Sequence, residues 1–74
     1  MNNKFGHIFY ERLKDLREEK GLSQTELAKD IKQVTRSAIT KWELQYSEPS
    51  ASKLIIVSDY FNVSVDYLLG KEND

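Results

Sequence analysis

The sequence has no cysteine, a single proline, three glycines, one histidine and no long apolar run. Without cysteine there is no disulfide framework and no thiolate zinc site, and a reducing cytoplasm is the compartment that fits. The lone histidine, His7, has no partner with which to hold a metal or activate a nucleophile, and it reads as an ordinary exposed residue. No apolar stretch approaches the roughly 20 residues needed to cross a bilayer. The opening residues, MNNKFGHIFYERLKDL, carry charges inside their apolar part, which a signal peptide does not. There is no glycine-rich phosphate loop and no Ser or Cys nucleophile with a His base. Glu18 and Glu19 are adjacent, so a helix would turn them to different faces. An enzyme is therefore not expected, nor a cofactor, a metal or a small-molecule ligand.

A chain of 74 residues makes one domain, near the lower limit of what folds without metals or disulfides. Its core is expected over about residues 8–70, with residues 1–7 and 71–74 as flexible ends. The formal charge of −1 is unusual for a nucleic-acid partner, but it is unevenly spread. Residues 1–45 carry nine Lys and Arg against seven Asp and Glu, a balance of +2; residues 46–74 carry two against five, a balance of −3.

What is present is a series of short amphipathic segments with start and stop signals. Phe9, Leu13 and Leu16 recur at helical spacing from about Ile8 to Lys20, where Lys20-Gly21 ends the helix. Ser23 and Glu26 form a capping box, with Leu22 and Leu27 as its hydrophobic staple, so a second helix runs from Gln24 to about Ile31. Thr35 caps a third, from Arg36 to about Leu44, with Val34 and Ile39 in the staple positions. Pro49-Ser50 starts a fourth, to about Phe61, and Ser64 caps a fifth that ends at Leu69-Gly70. Leu54, Val57, Ser58 and Phe61 form the stripe of the fourth helix. Ile55 and Ile56 leave it apolar on more than one face, as a contact surface or as tolerated exposure. The fold class is all-α, a five-helix orthogonal bundle.

In the third helix Ile39 and Trp42 point one way, while Arg36, Ser37, Thr40 and Lys41 point the other. Trp42 is read as core, with base stacking as the alternative. A short helix with that polar face suits a DNA groove. LSQTELAKDI, then VTRSAITKWE, then EPSASKLIIVSDYFNVSVDYLLG resemble the helix-turn-helix domain of the lambda-repressor-like, XRE-type transcriptional regulators. The resemblance runs from roughly Phe9 to Gly70. One departure is clear. The family usually links its second and third helices with a single glycine and one further residue before the cap. Here Lys32, Gln33 and Val34 intervene, one residue more and no glycine, which leaves the angle between those helices open.

The resemblance implies a pair between Arg17 and Glu43, against the plainer reading of Arg17 as a solvated cation. It also implies a DNA-backbone contact from Gln24, which the residue reading supports, because a helix N-terminus offers N–H groups to a phosphate. Arg36 and Ser37 open the third helix, where base-reading side chains lie, and arginine's fork matches the guanine edge. Lys41, one turn on, reads a base or holds a phosphate. Thr35 and Thr40 are taken as phosphate contacts, and backbone contact by Gln45, Tyr46 and Ser47 is plausible. The expected partner is double-stranded DNA, engaged as a homodimer on half-sites about 10 base pairs apart. Tyr60, Tyr67 and Leu69 are the candidate dimer face, or else complete the core. The expected role is a sequence-specific regulator, most readily a repressor. The competing reading is a protein-interaction module, accessory or antitoxin-like, that keeps the fold with weak or no DNA binding.

Overall fold

A computed structural model describes residues 4–71, with side chains from residue 8 onward. Among the described residues all regular structure is helical: α1 (Lys4–Glu19), α2 (Gln24–Ile31), α3 (Arg36–Glu43), α4 (Ala51–Phe61) and α5 (Val65–Leu68). The helix starts follow from local chemistry. The side chains of Ser23, Thr35, Ser50 and Ser64 each accept the backbone N–H three residues on, and Glu26 returns the bond to the Ser23 N–H at 2.8 Å. α1 begins at Lys4, ahead of the expected Ile8. No proline interrupts the stretch, and nothing in it competes with helix for the backbone. The His7 side chain and residues 1–3 and 72–74 lie outside the described residues, and so do the expectations made for them.

Four of the helices end in a Schellman turn, with one residue in left-handed backbone and paired 6→1 and 5→2 bonds. Gly21 and Gly70 supply that residue after α1 and α5, Asn62 after α4 and Gln45 after α3. α2 ends differently. Lys32 sits at φ 68 and ψ −33, and the Gln33 N–H reaches the Ile31 carbonyl at 2.8 Å. This is close to the rare γ-turn of positive φ. The additional, glycine-free residue is thus absorbed in the turn, leaving both flanking helices regular.

α1 packs on α3 and α5, α2 on α3, and α4 on α5. The core collects Phe9 and Leu13 from α1, Leu27 and Ile31 from α2, Val34 from the turn, Ile39 and Trp42 from α3, Val57 from α4 and Leu68 from α5. The Trp42 ring meets Phe9 edge-on, with centroids 5.8 Å apart, so the indole is core. Leu16, Leu54 and Phe61 are only half-buried and pack around this centre. Ser58 is buried without penalty, because its hydroxyl donates to the Ile55 carbonyl at 2.9 Å. Tyr60 and Tyr67 both pack against the core. Tyr67 also lies under the Arg12 guanidinium, 4.2 Å from ring centre to Cζ, while that guanidinium donates to the Tyr67 carbonyl. No helix among the described residues is long and apolar enough to cross a membrane.

Candidate nucleic-acid interface

The two faces of α3 are opposed in burial. Ile39 is 1% exposed and Trp42 5%, which anchors one side of the helix in the core. Arg36, Ser37 and Lys41 lie exposed on the other side, beside the exposed cap Thr35. Thr35 already spends its hydroxyl oxygen on the Ala38 N–H at 3.0 Å. The hydroxyl hydrogen remains available for an anion.

Gln24, the first residue of α2, faces the same region and is tied to α3. Its Nε2 donates to Glu43 Oε1 at 3.0 Å, and its Oε1 accepts the Thr40 hydroxyl at 2.6 Å. The carboxylate dictates this orientation, since the reverse amide would set oxygen against oxygen. One Nε2 hydrogen is left over. Thr40 has spent its only hydrogen on Gln24, so donating elsewhere would cost it that bond. Gln24 and Thr40, two of the three residues read from the sequence as phosphate contacts, thus have each other as internal partners, which sequence spacing alone gave no means of finding.

Glu43 is the hub of the arrangement. It accepts Arg17 Nε at 2.8 Å and Nη2 at 3.0 Å in a bidentate fork, besides the Gln24 amide. Arg17 Nη1 also donates to the Leu22 carbonyl at 2.8 Å, so one side chain ties α1 to the α1–α2 junction and to α3. The pair is largely withdrawn from water, with side chains 11% and 6% exposed. The hydrogen bonding that Arg17 donates to Glu43 pushes the Arg17 guanidinium further up; burial opposes this, and the charges of Glu43 and Glu18 assist it. Among the described residues no buried side-chain nitrogen or oxygen is left without a partner.

The turn between α2 and α3 has a contact the sequence did not announce: Lys53 Nζ of α4 donates to the Gln33 carbonyl at 2.7 Å. The Ile55–Ile56 pair divides. Ile55 is 53% exposed, whereas Ile56 packs against the core and lines a shallow groove with Asp30, Ile31, Gln33, Asp59 and Tyr60. Tyr46, in the loop after α3, is 77% exposed. No group of three or more His, Cys, Asp or Glu among the described residues is placed to hold a metal ion.

Residues 13–68 match the family model described as helix-turn-helix. The chain belongs to the helix-turn-helix family. Curated relatives carry the same segment. The chain is 41% identical over 64 residues to the HTH-type transcriptional activator BcrR of Enterococcus faecalis, covering 86% of this chain and 31% of that protein. It is 36% identical over 61 residues to the HTH-type transcriptional regulator ImmR of Bacillus subtilis (82% and 47%), and 42% identical over 67 residues to the uncharacterized regulator YqaE of the same species (90% and 57%). The chain therefore spans about a third to three fifths of the length of these relatives. No solved structure matches it.

Proposed function

We propose that the chain is a cytoplasmic, sequence-specific reader of double-stranded DNA that regulates transcription, with α3 seated in the major groove. The observation that carries this reading is the opposition of the two faces of α3. Its apolar side is locked in the core, while Arg36, Ser37 and Lys41 stand exposed together on the other side. In the proposed complex Arg36 reads a guanine through its fork, and Ser37 and Lys41 take neighbouring base edges. Gln24 presents its remaining amide hydrogen to a phosphate at the N-terminus of α2, where the helix dipole favours an anion. Thr35 adds its hydroxyl. Thr40 reaches a phosphate only by releasing Gln24, so its main part is to orient Gln24. The Arg17–Glu43 pair holds the two helices in register from behind.

With a formal charge of only −1, a single copy offers few phosphate contacts, so productive binding calls for two copies on an inverted repeat. Repression follows if that repeat overlaps a promoter. A relative named as an activator leaves room for the opposite sign, which placement of the site would decide. To test the reading, the protein is incubated with random duplex DNA, and the bound fraction is sequenced through successive rounds at low salt. An enriched inverted repeat with half-sites about one helical turn apart supports it. Arg36→Ala should then lose about 1–3 kcal/mol of discrimination at one base pair. Absence of any binding at low salt, where non-specific contact is strongest, would sink it.

A further inference from the structure

We propose that Lys53 is a positioning residue for DNA reading. Its ammonium clamps the turn between α2 and α3 and so sets the pitch of the reading helix. This rests on the DNA-binding reading above, but the observations behind it belong to the turn itself. The turn has no glycine. Lys32 therefore carries a side chain at φ 68 and ψ −33, a positive-φ γ-turn conformation that L-residues rarely adopt. Lys32 and Gln33 are themselves exposed, so burial of their own side chains does not keep the turn in that state.

Two contacts do so. Val34 is driven into the core at 4% exposure, which pins the far end of the turn. Lys53 reaches across from α4 and donates to the Gln33 carbonyl at 2.7 Å. A solvated lysine would place its ammonium in water; this one spends a donor on one backbone carbonyl 20 residues away. Its own backbone is fixed in turn. Lys53 is the residue whose N–H the Ser50 cap holds at 3.2 Å, so the clamp projects from a defined first turn of α4. Thr35, the cap of α3, lies two residues beyond Gln33. A shift of the Gln33 peptide is therefore transmitted into the first turn of α3, where Arg36 and Ser37 stand.

The test is Lys53→Met, which keeps the aliphatic stem and removes the donor, with Lys53→Ala as a second variant. Three quantities are measured: affinity for the DNA selected by the unmodified chain, affinity for random duplex DNA, and amide hydrogen exchange at Lys32 and Gln33. The clamp predicts about a tenfold loss on selected DNA, the order that one charge-assisted hydrogen bond contributes. Affinity for random DNA and its dependence on salt should stay unchanged, while the two turn amides exchange several-fold faster. A fall in the salt slope by about 0.9 would overturn the proposal by marking Lys53 as a phosphate contact. Unchanged exchange at Lys32 and Gln33 would overturn it as well. If the unmodified chain selected no DNA, the DNA reading would fail by itself, and the exchange measurement would still decide whether Lys53 holds the turn.

Discussion

Replacing Glu43 by Ala should remove a large share of the fold's stability, and the structure fixes why. Glu43 accepts three hydrogen bonds, two from Arg17 and one from Gln24. Its removal leaves the Arg17 guanidinium in a site where the residue is only 9% exposed, with the Leu22 carbonyl still accepting from Nη1. Removing one partner of a buried pair costs about 3–5 kcal/mol, because the surviving charge keeps its desolvation penalty. The edge of the guanidinium still touches water, so the lower end, about 3 kcal/mol, is the expected loss. A domain of 74 residues has a total stability of only about 4–11 kcal/mol. At this size a loss of that order lowers the melting temperature by roughly 12–24 °C. The single tryptophan, Trp42, is buried at 5% exposure and lies one residue before Glu43, so its fluorescence in urea follows the transition directly.

The double replacement Arg17→Met with Glu43→Leu separates mechanism from mere disruption. With both charges gone their desolvation cost goes too, leaving only the Leu22 carbonyl and the Gln24 amide short of a partner. The double variant should therefore be more stable than Glu43→Ala, despite carrying one more change. High salt should not rescue the single variant, since a withdrawn pair is weakly screened. Were Glu43→Ala to cost less than about 0.5 kcal/mol, or the single losses simply to add, the pair would be solvated in solution and the reasoning wrong.

Three further outcomes follow from particular contacts. Gly70→Ala should cost more than Gly21→Ala: both sit at positive φ, but a Cβ on Gly70 would lie 2.6 Å from Ile8 Cδ1, while one on Gly21 meets nothing within 4 Å. About 1 kcal/mol of backbone strain is common to both, and overpacking adds about 1–3 kcal/mol at Gly70, which Ile8→Val should partly recover in urea midpoints. Tyr60 donates to the Asp30 carboxylate, and that bond first, with burial and the Asp30 charge behind it, pushes its phenol up to about 12 from 10.0. Because the folded value lies above the unfolded one, the contribution is complete below pH 10 and fades as pH climbs from 10 to 12. An absorbance titration of the four tyrosines should show a late step that Tyr60→Phe abolishes. Lys32→Gly should leave the fold intact and raise stability by up to about 1 kcal/mol, as relief of the left-handed strain outweighs glycine's greater chain entropy; a lower urea midpoint would contradict that.

The starts of α2 to α5 were legible in the sequence because each is decided within a few residues, whereas α1 begins ahead of the expected Ile8. A Ser or Thr oxygen satisfies an N–H three positions on at Ser23, Thr35, Ser50 and Ser64, with an apolar pair bracketing the cap at Ser23, Thr35 and Ser64 and Pro49 preceding it at Ser50, so none of these needed tertiary information. The core was legible for a related reason: Leu27 with Ile31, and Ile39 with Trp42, are spaced by the helix itself. The α3 end was less so. Gln45 takes the left-handed position that glycine marks after α1, and a glutamine there gives no signal. Ile55 and Ile56 read as one apolar surface, yet adjacent helical residues are about a quarter-turn apart, and only Ile55 stays exposed.

What stayed hidden is the set of contacts that joins helices: Gln24 to Thr40, Gln24 to Glu43, and Lys53 to the Gln33 carbonyl. Each depends on the angle between elements, and that angle is the one quantity the unusual Lys32-Gln33-Val34 turn left open. The same contacts bear on the proposed function. Arg36 and Ser37 are chemically suited to base edges, but suitability is not aim. A fork must meet a base within tenths of an ångström. Here the aim of α3 is set at its start by the turn, where Lys53 holds Gln33, and at its end by Glu43, which Arg17 and Gln24 grip together. A helix held at both ends by polar side chains from three other helices, two of them cationic, is oriented by electrostatics as much as by its apolar face. Variants at Glu43 and at Lys53 should accordingly differ in kind. Losing the withdrawn pair lowers stability and reading together, while losing the exposed clamp lowers reading with the fold left standing.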